Sequence, residues 1–565
     1  MAGTIKIMPN SDARESVILV HNAANVGIYG GTIIGDIESH VTNENSTDEW
    51  NHGIKISGSS SNVTIKGVTI LKQHGDGIDI IDDYKAVTSP AFITIDAVII
   101  DKNGRNGISI ESGHDIVIRN SVISGTSEIK EISPGLAIDI EPWIETADVY
   151  NILIEDCTLN NPKGFDKYDI ALQPNISKEN KDFKNNITLR RCKARGIGIF
   201  SANGVNIEIC FVENMGLHNA QNTTFADCSV SVDFNLHNGN NVIIRGCNVN
   251  TLNFNEPVYD VKVENSVFSG SFNSWVAENI IITGSTMASV NIQKTINFLA
   301  ENSKITAPVI TSGDNIIISK CDIILKGLFV PYNNSVTNLV FKDNRISFEE
   351  YNENVQFYGA AIWDGNIITS GVKLQVRVES KFYRNIFVYL SEQAAEGFII
   401  LQLANATFEL IDNHFHNVTS VFALWTSSEV IYNSKELIAP TSNLSGFKPL
   451  DGCLAMHMGI PYIYVKNVWF ALALMASGVS SARPTNIAKG TLYFDSTLVK
   501  PIWWSDSEWV DAYGFNADLA RGGTTSERPH LSSTDCGFIF YDTTLEKPII
   551  WNGTKWCYMD GTKLS

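Results

Sequence analysis

An all-β solenoid of stacked coils is the fold this sequence predicts. Three observations carry it: a recurring six-residue phrase, a near-constant spacing, and period-2 alternation inside each unit. The phrase is an apolar residue, any residue, an apolar residue, two polar or small residues, then a small residue. It reads Val63-Thr64-Ile65-Lys66-Gly67-Val68, Ile152-Leu153-Ile154-Glu155-Asp156-Cys157 and Val242-Ile243-Ile244-Arg245-Gly246-Cys247. Its last positions, here called slots, are Gly31, Val68, Val98, Ser121, Cys157, Cys192, Cys210, Cys228, Cys247, Ser266, Ser285, Ser303, Cys321, Asn344, Asn366, Asn385 and Asn413. From Cys192 to Cys321 the slots lie 18 or 19 residues apart. A unit this short cannot bury its own apolar face, so it must stack on its neighbours. Helical repeats are longer, and a propeller blade needs ~40 residues.

The phrase resembles the right-handed parallel β-helix of the pectin-lyase-like superfamily, over roughly residues 15 to 430. Six of the nine cysteines, 157, 192, 210, 228, 247 and 321, share the slot. Coils stack ~4.8 Å apart, so these thiols should form an inward ladder. Disulfides between them are the alternative. Asn344, Asn366, Asn385 and Asn413 resemble the asparagine ladder of such folds.

Composition narrows the function. Lys+Arg is 42 and Asp+Glu 61, a net charge of −19 with no basic run, which argues against nucleic acid and anionic membrane surfaces. The longest apolar run, Val468 to Ala476, is too short for a span of ~20 residues, so no membrane insertion is expected. Hydrophobic residues are 44%, enough for a large core. No CxxC pair occurs, which argues against a zinc ribbon or a thioredoxin-like motif. Met1 to Lys6 opens no apolar stretch of signal-peptide length, and the chain reads as soluble; it can also be a fragment of a longer protein.

Before Cys192 the slot spacings are 37, 30, 23, 36 and 35, so those coils carry insertions. Insertions on a rigid scaffold are where chemistry is expected, here within residues 50–175. Each long coil holds a second strand: Gly53–Ser57, Gly77–Ile81, Gly107–Glu111, Ala137–Glu141 and 170–173. Their Ile and Leu positions face the core. The residues between should form an exposed column, Lys55, Asp79, Ser109, Asp139 and Ala171. A parallel column is Ser57, Ile81, Glu111, Glu141 and Gln173, with His52, His74, Asp76, Arg105 and Asn106 leading in.

Strand geometry sets the carboxylate spacings. Asp79 and Asp139 are two rungs apart, roughly 9–10 Å, near the ~6.5–9.5 Å of inverting glycosidases. Glu111 and Glu141 are one rung apart, ~5 Å, the retaining separation. Asp139 and Glu141 share a strand face ~7 Å apart. Stacked carboxylates repel, so one member should hold its proton to higher pH, as a general acid must. The expected catalytic set is therefore Asp139 and Asp79 as acid and base, with Glu141 and Glu111 assisting or replacing them. Asp76, His74, Arg105, Lys55 and Trp143 are the expected substrate-binding residues. The competing readings are a solvated acidic surface and a Ca²⁺ site built from paired carboxylates; no other cofactor or metal is expected. A polysaccharide lyase is disfavoured, because Lys55 and Arg105 are the only basic residues here to neutralise a uronate.

Two segments carry a further resemblance. Arg105, Gly107, Ser109, Ser112 and Gly113, then Asp139, Glu141 and Pro142, resemble stretches of β-helical glycosidase-like and phage tailspike proteins. Residues 435 to 460 have a linker or cap composition, and 431–477 is read as that element. Residues 478–565 form a tandem repeat: Asp495, Lys500-Pro501, Trp504 and Trp509 recur 47 residues on as Asp542, Lys547-Pro548, Trp551 and Trp556. Each unit reads as an aromatic strand, a Lys-Pro turn and a Trp strand, too small to fold without help. These repeats resemble units near the ends of phage and prophage tail-fibre proteins. The tryptophans either stack on sugar or fill a small core or trimer contact.

The resemblances imply a phage tailspike-like homotrimer that binds and hydrolyses bacterial surface polysaccharide as a glycoside hydrolase. It would sit in the virion tail with other phage tail proteins, after assembly in the bacterial cytoplasm, which suits reduced thiols. The alternatives are a non-catalytic receptor-binding fibre, a lyase and a secreted pectinase-like enzyme. Phe211, Phe254 and Phe272 are expected as outward apolar residues for side-by-side packing.

Overall fold

In a computed structural model the chain is a parallel β-helix followed by small antiparallel sheets. The structure describes residues 3–11, 16–41, 49–83, 88–130, 132–142, 147, 149–161, 167–173, 185–325, 335–348, 355–357, 360–370, 374–376, 380–390, 399–401, 407–416, 422–424, 429–433, 454–457, 460–465, 468–471, 476–485, 487, 489, 491–511 and 514–564. The expected Trp143 lies outside them, as do Cys453 and most of 431–477. Two compact units divide the chain, Met1–Gly371 and Val372–Ser565.

In the first unit each coil has up to three strands. One coil holds His52–Ser57, Ser61–Lys66 and Thr69–Leu71; the next holds Ile78–Ile81, Ala91–Asp96 and Ile99–Asp101. Each strand pairs in parallel with its counterpart one coil on, so three strand files run along the solenoid. The coil interior is filled by one Ile-rich face per strand, with Ile54, Ile56, Ile65, Ile70, Ile78 and Ile80 all fully buried. The insertions of the early coils lie mainly between the third file and the first. Where they vanish the two files fuse: Lys193–Phe200 pairs with both Thr158 and Ile170–Leu172.

The slots mark the corner between the second and third files. The residue before every slot, from Gly30 to Asp412, is left-handed, with φ between 47° and 68°. That turn brings the slot side chain inward beneath the backbone of the preceding coil. There the oxygen of one slot accepts the N–H of the slot before it. Val98 N donates to Ser121 Oγ, Cys247 N to Ser266 Oγ, Ser266 N to Ser285 Oγ, and Cys321 N to Asn344 Oδ1. The slot thiols from Cys157 to Cys321 are buried and donate to the carbonyl two residues back, at 3.1 to 3.5 Å. Every described cysteine is a free thiol, so the ladder is packed sulfur and not disulfide.

The expected amide ladder is present within each unit. Asn344 Nδ2 donates to Asn366 Oδ1 at 2.9 Å, and Asn385 Nδ2 to Asn413 Oδ1 at 2.9 Å. A second asparagine ladder, on the exterior, escaped the sequence reading. Asn297 donates to Asn279 and Asn315 to Asn297, at a left-handed bulge in the second file.

Two expectations fail here. Phe254 and Phe272 are fully buried, while Phe211 is 57% exposed. Adjacent Asn250 and Thr251 both turn away from the core at a corner, which shifts the alternation by one and sends Phe254 inward.

In the second unit parallel pairing runs from Leu374 to Asn433, followed by the antiparallel strands Leu454–His457, Ile460–Val465 and Val468–Ala471. The tandem repeats each form an antiparallel hairpin with a third strand. The turn is not Lys-Pro as expected: Lys500 and Lys547 already begin the second strands. The turn precedes them because Asp495 Oδ1 accepts the N–H groups of Thr497 and Leu498, and Asp542 does the same in the second copy. Each repeat has its own small core. Trp509 joins Tyr493 and Ile502 in the first, and Trp551 and Trp556 pack on Phe538 and Phe540 in the second.

Asn366→Ala should cost about 3 kcal/mol, because it orphans two donors of Asn344 and the Phe341 carbonyl. Asn297→Gly keeps the left-handed backbone and loses two exposed bonds, whose groups water can satisfy, so it should cost about 1 kcal/mol. Denaturant midpoints of the two variants check the ranking.

Candidate functional site

The first strand file of the early coils brings the acidic residues together. Lys55, Asp79, Ser109, Asp139 and Ala171 stand in direct register, one per rung. Glu111 and Glu141 follow Ile110 and Ile140, which are themselves paired. The expected columns therefore exist, but they are not exposed: Asp79 is 0% accessible, Ser109 1%, Asp139 3% and Glu111 6%. Other residues pack over the strand face, which alternation within the strand does not report.

What opens above this face is a cavity of about 210 Å³, lined by Glu49, Trp50, Arg105, Ser109, Glu111, Asp139, Glu141 and Pro142. Glu49 and Trp50 are the members the sequence reading missed. Their one signal was a tryptophan just ahead of the strand His52–Ser57. Its ring centroid lies 5.9 Å from the Arg105 guanidinium carbon and 6.0 Å from Lys55 Nζ.

Beneath the cavity lies a fully buried polar layer. Asp76 accepts from Arg105 Nη1 at 2.8 Å, from the Asn106 N–H at 2.8 Å and from Ser109 Oγ at 3.0 Å. Asn106 Nδ2 in turn donates to Ser109 Oγ and, at 3.2 Å, to Asp139 Oδ2. Asp76 is thus a support that aims Arg105 and, through Ser109 and Asn106, Asp139. Asp76 is 0% accessible and is not among the residues that line the cavity. His74 is also outside that lining; it is 1% accessible and stacks on His40 at 3.9 Å.

Asp79 also lies below the cavity lining, with Lys55 Nζ 3.0 Å and His52 Nε2 3.5 Å from Oδ2. Nδ1 of His52 receives the Asp76 N–H at 3.1 Å, and burial pushes the His52 pKa down, against the pull of Asp79 and Asp76. A neutral His52 then presents Nε2–H towards Asp79. Lys55 is held by Asp79 at the cavity margin.

The remaining carboxyls carry unusual protons. Burial, then Glu141, push Asp139 up from 3.8 to about 7. Burial, then Asp79, push Glu111 up from 4.5 to about 9, although Arg105 and Lys55 oppose this. Burial works against the charge of Arg105, yet Asp76, Glu111, Asp139 and Glu49 outweigh it and raise its pKa. Oδ1 of Asp139 and Oε2 of Glu111 are buried with no hydrogen-bond partner among the described residues. A half-enclosed pocket with two proton-holding carboxyls, a guanidinium and an indole suits acid–base chemistry on a polyhydroxylated ligand. Among the described residues no group of three or more His, Cys, Asp or Glu is arranged to hold a metal ion.

The raised pKa of Glu111 has a stability consequence. The folded state holds this proton more tightly than the unfolded state, so its contribution is full below about pH 4.5 and is lost as pH rises towards about 9. In Glu111→Gln that loss is absent. Thermal midpoints measured from pH 5 to 9 should therefore fall less steeply in the variant than in the parent.

No family model matches the chain. The uncharacterized protein YclG of Bacillus subtilis strain 168 is 33% identical over 149 residues, 25% of this chain and 25% of its own. The SPbeta prophage-derived uncharacterized protein YorA of the same strain is 28% identical over 166 residues, 27% of this chain and 28% of its own. The chain thus spans about a quarter of the length of these curated relatives. In the crystal structure of bacteriophage CBA120 tailspike protein 3, the similarity is 13% in identity with a TM-score of 0.15, over 82% of this chain and 64% of that one.

Proposed function

We propose that this chain is a tailspike-like phage tail protein that binds bacterial surface polysaccharide and hydrolyses it in the cavity over Asp139. The observation that carries the chemistry is the pair Asp139 and Glu141 on one strand face of a half-enclosed acidic pocket. Asp139 holds its proton up to about pH 7. Side chains two residues apart on a strand are roughly 7 Å apart, inside the ~6.5–9.5 Å of an inverting pair. Asp139 gives its proton to the glycosidic oxygen as the C–O bond breaks. Glu141 takes a proton from the water that attacks the opposite face of the sugar ring. Glu111, protonated at neutral pH, donates a hydrogen bond to a sugar hydroxyl. Trp50 and Arg105 position the ring. Asp79, expected as the base, becomes a support beneath the site, and Lys55, its ion-pair partner, stands at the rim.

The phage assignment draws support from the C-terminal repeats, with their resemblance to tail-fibre units, and from a relative described as prophage-derived. The same reading makes the protein a homotrimer in the virion tail, with other tail proteins as neighbours. Phe211 is one exposed apolar contact available to such an assembly. Sedimentation of the full chain at micromolar concentration should give three times the monomer mass. A stable monomer would favour a secreted enzyme instead.

Asp139→Asn should lower turnover by ~10² or more while glycan binding persists. In the parent protein the rate should fall as pH rises through about 7, where Asp139 loses the proton it must donate. Release of reducing ends from capsular or lipopolysaccharide preparations measures both. Unchanged turnover in Asp139→Asn and Glu141→Gln alike would remove this cavity from the reaction. An unsaturated product absorbing in the near ultraviolet would replace hydrolysis by elimination.

A further inference from the structure

The register of the first strand file does not stop at the acidic cavity. One rung after another, the position of Glu141 is taken by Gln173, Phe200, His218, His237, Asn255 and Trp275. These residues are half-buried or exposed, with Trp275 46% accessible. Phe200 stacks on His218 at 5.0 Å and His218 on His237 at 4.5 Å, both within 11° of parallel. Their rings therefore stack along the solenoid and turn edges, not faces, towards solvent. Asn255 Nδ2 lies 3.2 Å from His237 Nε2, which fixes that imidazole.

The neighbouring column of the same strand file, which carries Asp139, continues as a floor of matching character. It passes through two glycines, Gly198 and Gly216, and then an amide ladder. Asn253 donates to Asn235 at 2.9 Å, Asn273 to Asn253 at 2.8 Å and Asn291 to Asn273 at 2.6 Å. Amide, imidazole and aromatic side chains in two straight rows supply hydrogen bonds and apolar surface with no net charge. Among the described residues neither row contains a Lys or Arg between Gln173 and Trp275. The cations alongside face carboxylates: Lys167 lies 3.8 Å from Asp233, and Arg195 Nε 3.8 Å from Asp169.

We propose that these two rows form an extended binding track for an uncharged polysaccharide, continuous with the cavity and running along the solenoid. The proposal rests on the reading of the cavity as a glycan site and names its substrate class. Six rungs of ~4.8 Å make ~29 Å, room for about six sugar units of roughly 5 Å each. Trp275 at the far end, 46% accessible, is an exposed indole of the kind on which sugars stack. A polyanion is disfavoured, because it would meet Glu141, Glu111 and Asp233 with no unengaged cation in the rows to neutralise it.

The test is an array of purified bacterial polysaccharides and their oligosaccharides, graded by charge and length, probed with the full chain and with Trp275→Ala. Trp275 is exposed, so its removal should leave the thermal midpoint unchanged. The expected hits are uncharged glycans whose affinity grows up to about six units. Trp275→Ala should weaken the long chains about tenfold and leave trisaccharides unaffected. Hits confined to uronate- or phosphate-rich glycans, equal binding by parent and variant, or retention of no neutral polymer would each overturn the track. Binding of long neutral chains without cleavage would sink the hydrolase reading and leave the track intact.

Discussion

The interaction on which everything else rests is small: a slot side chain accepting the backbone N–H of the slot one coil earlier. At each corner the chain turns through a left-handed residue, and the next N–H points inward, away from water. An unpaired buried N–H is costly, so each coil depends on the next for its partner. Serine and asparagine meet that need with a side-chain oxygen. Where cysteine stands instead, the thiol donates back to a carbonyl of its own corner and fills the space with sulfur. The bond ties Val98 to Ser121, Cys247 through Ser266 and Ser285 to Ser303, and Cys321 through Asn344 to Asn366, and parallel strand pairing carries the register between these corners. Two strand columns can then remain aligned from Lys55 to Asn291.

This rigidity explains how so many carboxylates come to be buried together. The insertions enter between the third and first files and between the first and second, which leaves the slot corner untouched. The scaffold can thus carry unfavourable electrostatics at one corner while the other corner holds the register. Six carboxylates, Glu49, Asp76, Asp79, Glu111, Asp139 and Glu141, face two cations, Lys55 and Arg105. Such an imbalance is resolved by protonation or by placing carboxyls near solvent. Both solutions occur here: Glu111 and Asp139 hold protons, while Glu141 sits at the more open margin of the cavity.

Much of this was legible in the sequence, and the failures have definite physical causes. Period and alternation place Asp79, Ser109 and Asp139 in one column because side-chain direction along a strand is a local property. What packs over that column is not local. The alternation that put Asp79 on the outer face could not report that Lys55 and His52 close on its carboxylate. Neither His74 nor Asp76 lines the cavity, since both lie in connections whose path depends on distant coils. Phe254 was misplaced by a corner where two successive residues turn away from the core. The outer asparagine ladder stayed hidden because its members lie within strands, at a bulge that does not disturb the apolar phase.

The division of labour among the acids follows from which neighbour each one has. Glu111 and Glu141 are related by the rung spacing, and Asp139 and Glu141 by the step along a strand, and the backbone fixes both separations. Spacing alone therefore leaves both pairs open for catalysis, and protonation separates them. Glu111 is buried and feels Asp79 and Asp76, so its proton stays bound throughout the neutral range. Asp139 is as deeply buried, but it receives the Asn106 amide on Oδ2, a hydrogen bond that favours its charged form. That bond, itself aimed through Asn106 by the fully buried layer around Asp76, counters part of the desolvation and helps leave Asp139 titrating near pH 7. Of the two protonated carboxyls, Asp139 alone can both lose and regain its proton at the pH of turnover, which is what a recycling acid requires.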